Sequence, residues 1–289
     1  MAEQPPEVLA APPPRRPMPA QLMAGLVIVG VIVALSLLAP WIAPHPWDTI
    51  SIRTRFLPPN ATYWLGTDDY GRDVLSRLLM GGRLSLAMGV GATVLSVSIG
   101  VPVGLAAGYF GGIVDEVLMR IADVLMAIPA IMLGLLVLAV TPPALWKTSV
   151  AVGFVYVPLI ARIARSVTLD LAREEFVQAA RARSEGATYI LFREILPNAW
   201  PPLIVEASLR ITYAILLGSA FSFLGLGAQP PSSDWGLMIA EARQFMDRAP
   251  WIALAPGLAM CLLVIGINLI GDGLRERLDP RLKSRLAKA

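Results

Sequence analysis

The chain carries little that could make or break bonds. Its 289 residues include one histidine, His45, and one cysteine, Cys261. One imidazole cannot anchor a nucleophile–base constellation or a histidine metal site, and one thiol allows neither an intrachain disulfide nor a cysteine metal cluster. The phosphate-cradling GxxxxGK[ST], the zinc-binding HExxH and the nucleophile elbow GxSxG are all absent from the sequence. No catalytic, cofactor-binding or metal-binding residue is therefore assigned, and the chain is not expected to be an enzyme. What the residues do offer is docking chemistry. The stretch from Glu174 to Pro202, EEFVQAARARSEGATYILFREILPNAWPP, is the one long charge-rich segment between apolar blocks. Phe176, Ala179 and Ala180 share one face at i, i+3, i+4 spacing, with Arg181 and Arg183 elsewhere, which predicts a short amphipathic helix. Ser184 and Gly186 favour a helix end or turn. A second apolar run, Ile190, Leu191, Ile195 and Leu196, is expected to end at Pro197, with Asn198 capping a helix whose first turn suits Pro201 and Pro202. The pattern predicts a helix–turn–helix outside a membrane, with one face free to dock.

The elements that must position this segment are membrane spans. The chain is 56% hydrophobic and 16% charged, with mean hydropathy +0.64, whereas a soluble domain is about 25% charged. A net charge of +3 is too small to argue for a nucleic-acid partner. Residues 1–21 read as a Pro- and Ala-rich extended cytoplasmic tail. Residues 22–43 are uncharged and reach the roughly 20 residues needed to cross the hydrocarbon core. They exceed the about 7–15 residues of a signal-peptide apolar region, so a retained first span is expected. Residues 44–83 form a polar outer loop with Trp47, Tyr63, Trp64 and Tyr70, in which Asp73 and Arg77 are expected to pair at i, i+4.

The core, residues 84–274, should hold five further spans. The second, 84–114, carries small residues four apart that allow close helix contact. The third, 124–146, has Pro129 as a tolerated kink and Asp123 near its start, expected to pair with Arg120 at i, i+3. The fourth, 148–161, continues through Arg162 and Arg165 if those side chains snorkel. The fifth, 211–227, has its start extended through Glu206 and Arg210, which are expected to pair at i, i+4, and no charge is expected deep in any span. Residues 228–248 form a second outer loop, with 237–245 amphipathic enough to lie on or dip into the membrane mouth. The sixth span, 251–271, contains Cys261 as an expected buried hydrophobe and precedes a basic cytoplasmic tail, 275–289. Fifteen Lys and Arg then lie inside against eight outside, with Arg210 unassigned. The positive-inside bias places both termini and the loop 173–200 in the cytoplasm.

The loop's motif resembles the coupling loop of ATP-binding-cassette (ABC) importer permeases: Glu-Ala-Ala, three residues, Gly, then a spacer ending in Leu-Pro. Here Gln178, Ala179, Ala180, Ser184, Leu196 and Pro197 occupy those positions. Gln178 replaces the Glu and Ser184 the Gly, with Gly186 placed to restore backbone freedom. Three further strings, LGTDDYGRDVLSRLLMGGRLSL, SFLGLGAQPPSSDWGLMI and APWIALAPGLAM with INLIGDGLRERLDPR, are similar to the C-type subunits of dipeptide, oligopeptide and nickel importers. The resemblance implies an all-α polytopic membrane protein with six transmembrane helices and the type I ABC importer permease fold. It implies a bacterial inner-membrane location and a coupling surface of Phe176, Gln178, Ala179, Ala180, Arg181, Ser184, Glu185, Gly186, Leu196 and Pro197. The implied partners are a homologous B-type permease, two cytosolic ABC ATPases that bind the ATP, an extracytoplasmic binding protein and membrane lipid, but no nucleic acid. Di- or oligopeptides are the first expected cargo, with nickel chelates or glutathione as alternatives. An Asp at 179 or 180 is expected to uncouple ATP hydrolysis from uptake. An ion-driven carrier would instead need a midplane ion site, and a channel or scaffold would not need the hairpin.

Overall fold

The computed structural model of the protein describes residues 18–140 and 142–278; most of the expected N-terminal tail and the end of the basic tail lie outside them. The described residues are almost wholly helical. Helix α1 runs Ala20–Ile42, α2 Val74–Phe110, α3 Gly112–Ala127, α4 Ala130–Ala139, α5 Leu145–Leu171 and α6 Glu175–Ala182. Then follow α7 (Ala187–Tyr189), a π-helical turn at Ile190–Ile195, α8 (Leu196–Phe223), α9 (Trp235–Ala242) and α10 (Trp251–Leu278). Five stretches are long and apolar enough to cross a membrane without a break: α1, α2, α5, α7 through α8, and α10. The α3–α4 pair makes a sixth if counted as one span, but it is bent by 91°.

That bend is sharper than the kink expected of Pro129. Pro129 is the residue before α4, and proline fixes φ and supplies no N–H to continue the ladder. Two separate helices result. Asp123, near the end of α3, pairs with Arg162 of α5 rather than with Arg120 of its own helix, and Arg165 binds Asp115 through both carboxylate oxygens. The two arginines of α5 are thus ion-paired to α3, where snorkelling was expected.

The α2–α5 seam is the closest helix contact. A Cβ at Gly104 would stand 2.3 Å from the Ala161 carbonyl oxygen, so only glycine lets the backbones approach this far. Helix α2 also starts ten residues before residue 84, where the second span was expected to begin. Asp73 provides the start: its carboxylate accepts from the Ser76 N–H at 3.0 Å. Arg77 does not pair with Asp73. Its Nη1 lies 2.5 Å from Asp68 Oδ2 and its Nη2 2.8 Å from Glu241 Oε2. Arg72 joins the same two acids, at 2.6 Å and 3.1 Å. With its charges neutralised in this knot, the loop-like stretch after Asp73 becomes a buried helical turn.

The knot ties α2 to α9, and α9 is packed into the bundle. Trp235, Leu237, Met238 and Ala242 are all buried, and the Trp235 indole donates to the Leu78 carbonyl at 2.9 Å. Asp234 caps α9 through Gly236 N and Leu237 N. Cys261 is exposed, not buried. It shares the outer face of α10 with Leu254, Leu258, Leu262 and Ile265, because in a bundle made for lipid an apolar side chain gains nothing by turning inward.

Two outcomes are expected. Arg77→Ala leaves Asp68 and Glu241 with Arg72 as their one remaining cation and costs about 1–3 kcal/mol in detergent unfolding, while Arg53→Ala, at an exposed site, changes nothing measurable. Asp69, beside the knot, has its carboxyl held above the ordinary 3.8, by burial first and then by the Asp68 charge. Folding therefore takes up a proton between 3.8 and the raised value. The wild type should lose stability relative to Asp69→Asn as pH rises through that window, and keep a constant difference above it, in a pH series of thermal melts.

Candidate functional site

An isolated helix of α6's length, 8 residues, is not stable in water, so α6 must be held by what it packs on. Val177 and Ala180 are fully buried against Ile190, Leu191 and Ile195 of the following segment and Val101 and Leu105 of α2, with Phe176 half-buried beside them. The buried face is thus Phe176, Val177 and Ala180. The expected face of Phe176, Ala179 and Ala180 was one residue off, because Val177 was not counted in it. Ala179 is exposed, and with Glu175, Gln178 and Ala182 it forms a small-residue surface at i, i+3, i+4, i+7 spacing. Ala180 is therefore a core residue, and an Asp there would break the seat of the helix instead of testing a contact.

The termini of α6 explain both departures from the motif. Gln178 donates from its side-chain amide to the Ala172 carbonyl at 3.2 Å, closing the end of α5. A carboxylate at this position has no proton to give. Ser184 sits in the left-handed region, φ +60°. Its N–H bonds the Arg181 carbonyl at 2.9 Å and the Glu185 N–H bonds that of Ala180 at 3.2 Å. This is a Schellman ending, which normally places glycine at the left-handed position. Gly186 does not take over that role: its φ is −69°, extended, and it starts α7.

The second arm is one continuous helix and not a run broken at Pro197. Leu196 N–H bonds back to the Leu191 carbonyl, five residues earlier. The wider π-turn gives room where the Pro197 ring would meet the carbonyl four residues before it. Asn198 caps nothing; its amide donates to the Glu194 carbonyl at 2.7 Å. Pro201 and Pro202 lie inside α8. Arg183 bridges the two arms, 3.7 Å from Glu185 and 3.4 Å from Glu194. The Arg181 guanidinium lies 5.2 Å from the centre of the Tyr109 ring at the end of α2. Of the expected surface, Gln178, Ala179, Arg181, Ser184, Gly186 and Pro197 are exposed, Phe176, Glu185 and Leu196 are half-buried, and Ala180 is internal. Sequence reading missed Val177 and Tyr109. The i, i+3 spacing of Val177 and Ala180 carried a signal for the first.

The described residues form a bundle of apolar helices from which a packed hairpin projects, one face of it seated on the bundle and the other open. Residues 100–284 match the family described as the binding-protein-dependent transport system inner membrane component, and residues 22–59 match the N-terminal transmembrane domain of oligopeptide transport permease C. The chain belongs to this permease family, and is a multi-pass membrane protein. It is 40% identical over 262 residues to the dipeptide transport system permease protein DppC of Alkalihalophilus pseudofirmus, covering 91% of this chain and 86% of that one. It is 41% identical to the glutathione transport system permease protein GsiD of Pectobacterium atrosepticum, covering 90% and 87%. The inward-facing MetNI methionine ABC transporter shares the fold, with TM-score 0.59 at 20% identity over 70% of this chain and 96% of that chain.

Ser184→Gly should relieve the left-handed strain, less the entropy glycine adds to the unfolded chain, and stabilise the hairpin by about 0.5–1 kcal/mol. Ser184→Val should weaken it. Hydrogen exchange of the α6 amides reads both; equal protection in all three proteins would refute the strain.

Proposed function

We propose that the chain is one of two permease subunits of an ATP-driven peptide importer. Its partners are a homologous B-type permease, two cytosolic ABC ATPases docked on α6 and its counterpart, and an extracytoplasmic binding protein that delivers the peptide. In this reading the α6 end faces the cytoplasm, which the excess of Lys and Arg on that side supports, and the Asp68–Arg77–Glu241 knot faces outward. Peptide is preferred as cargo because the relatives named above are dipeptide and glutathione permeases, and glutathione is itself a peptide.

The observation that carries this reading is the division of α6 into two faces. One, Val177 and Ala180, is locked into the spans; the other, Glu175, Gln178, Ala179 and Ala182, is open and small enough to lie in a groove. A helix built this way transmits motion. When ATP closes the ATPase dimer, each docked helix is displaced, and the buried seat carries the displacement into α2 and α8. Access then shifts between inward-open and outward-open states. ATP supplies the free energy, and this chain makes none of the chemical steps.

Ala179→Asp tests the docking face without touching the seat. In the assembled importer it should lower ATP-dependent dialanine uptake and ATPase co-purification by about tenfold or more, as a buried unpaired charge would, while the thermal melt of the chain stays near wild type. Uptake at the wild-type level, or uptake driven by a proton gradient without ATP, would contradict the proposal.

A further inference from the structure

Helix α8 starts at Leu196, so Glu206 and Arg210 stand well inside a helix at whose start they were expected. Arg210 lies about halfway along α8, and Tyr156 about halfway along α5. The expected i, i+4 pair forms: Arg210 Nε is 2.7 Å from Glu206 Oε1, and the two side chains are only 13% and 17% exposed. The approach is not a hydrogen bond, since both atoms are buried without a hydrogen-bond partner. Two tyrosines complete the clamp. The guanidinium lies 4.7 Å from the Tyr213 ring centre and 5.5 Å from that of Tyr156, whose hydroxyl is anchored on the Tyr213 carbonyl. The charge and plane of Arg210 are thus fixed, yet its terminal nitrogens have no acceptor among the described residues.

An arginine inside a span is costly against lipid and normally faces a polar path or another protein. Here the clamp opens outward: Tyr213 is 48% exposed and belongs to a face of α5 and α8 shared with Phe154 and Leu216. A half-open cation site inside a span, on a subunit read as half of a permease pair, fits the seam through which cargo passes. What four unused N–H donors in a rigid fork fit is a carboxylate held by two parallel hydrogen bonds.

We propose that Arg210, set by Glu206, Tyr156 and Tyr213, is a contact for the carboxylate of the transported peptide on its way between the two permeases. The inference rests on the peptide-importer reading above. Glu206 fixes the orientation of the fork and keeps net charge low, so that the carboxylate is held and then released and does not remain trapped.

The test uses the complete importer in liposomes, with binding protein and radiolabelled dialanine as the probe. Arg210→Gln should lower uptake per ATP hydrolysed by about tenfold or more, the loss of one charged fork. The subunits should stay together, and loaded binding protein should still stimulate hydrolysis to about the wild-type level. Arg210→Lys, which keeps the charge, should remain within about threefold of wild type, as one charged hydrogen bond is retained. Unchanged uptake per ATP in Arg210→Gln would overturn the proposal, as would a parallel fall of hydrolysis and uptake. Dissociation of the subunits would also overturn it, by showing that Arg210 holds the partner permease. A wild-type importer with no ATP-driven dialanine uptake would instead remove the peptide-importer reading, and this inference with it.

Discussion

The seat of α6 is the contact on which the mechanism depends. Val177 and Ala180 are buried against Ile190, Leu191, Ile195, Val101 and Leu105, and without that burial eight residues of helix would not persist in water. The seat converts a mobile loop into a lever fixed to the spans. It also explains why the exposed side is built from alanines and short polar groups: the helix is not anchored through that side, which is free to be shaped for another surface. The Schellman ending at Ser184 and the Arg183 bridge to Glu185 and Glu194 fix the angle at which the second arm returns.

At the opposite end the chain is held by charge. Asp68, Arg72, Arg77 and Glu241 form a closed set in which each arginine meets both acids. Such a set is costly to bury and worse to break, and here it specifies which loop sits on which helix. Between the two ends, backbone contact through Gly104 keeps α2 and α5 together. The subunit therefore has a rigid lever at one end, a rigid knot at the other and close-packed helices between. This suits a part that rocks as a body against a partner.

The membrane class, the all-helical fold and the position of the α6 hairpin were legible from apolar length and the run of charges alone. Pairings between elements were not. Asp123 was assigned to Arg120 because a sequence displays only neighbours at i+3 and i+4, whereas Arg162 reaches it from another helix. The start of α2 was missed because Arg77 and Arg83 look like loop residues until Asp68 and Glu241 are placed beside the first of them. Cys261 was put inside by a rule made for water. In lipid, hydrophobicity does not say which way a side chain faces, and Cys261 faces out. The one-residue error in the α6 face came from weighing alanines above a valine. The role of Ser184 was hidden because only the backbone angle shows that a non-glycine holds the left-handed position.

The central claim is that α6 is the docking helix of a permease working in a larger assembly. The most direct measurement is to isolate the tagged chain, gently solubilised from its native host, and identify by mass spectrometry what accompanies it. The account predicts a second permease of the same family and one or two P-loop ATPases in fixed ratio to the chain. A chain recovered alone, or only with copies of itself, would contradict it.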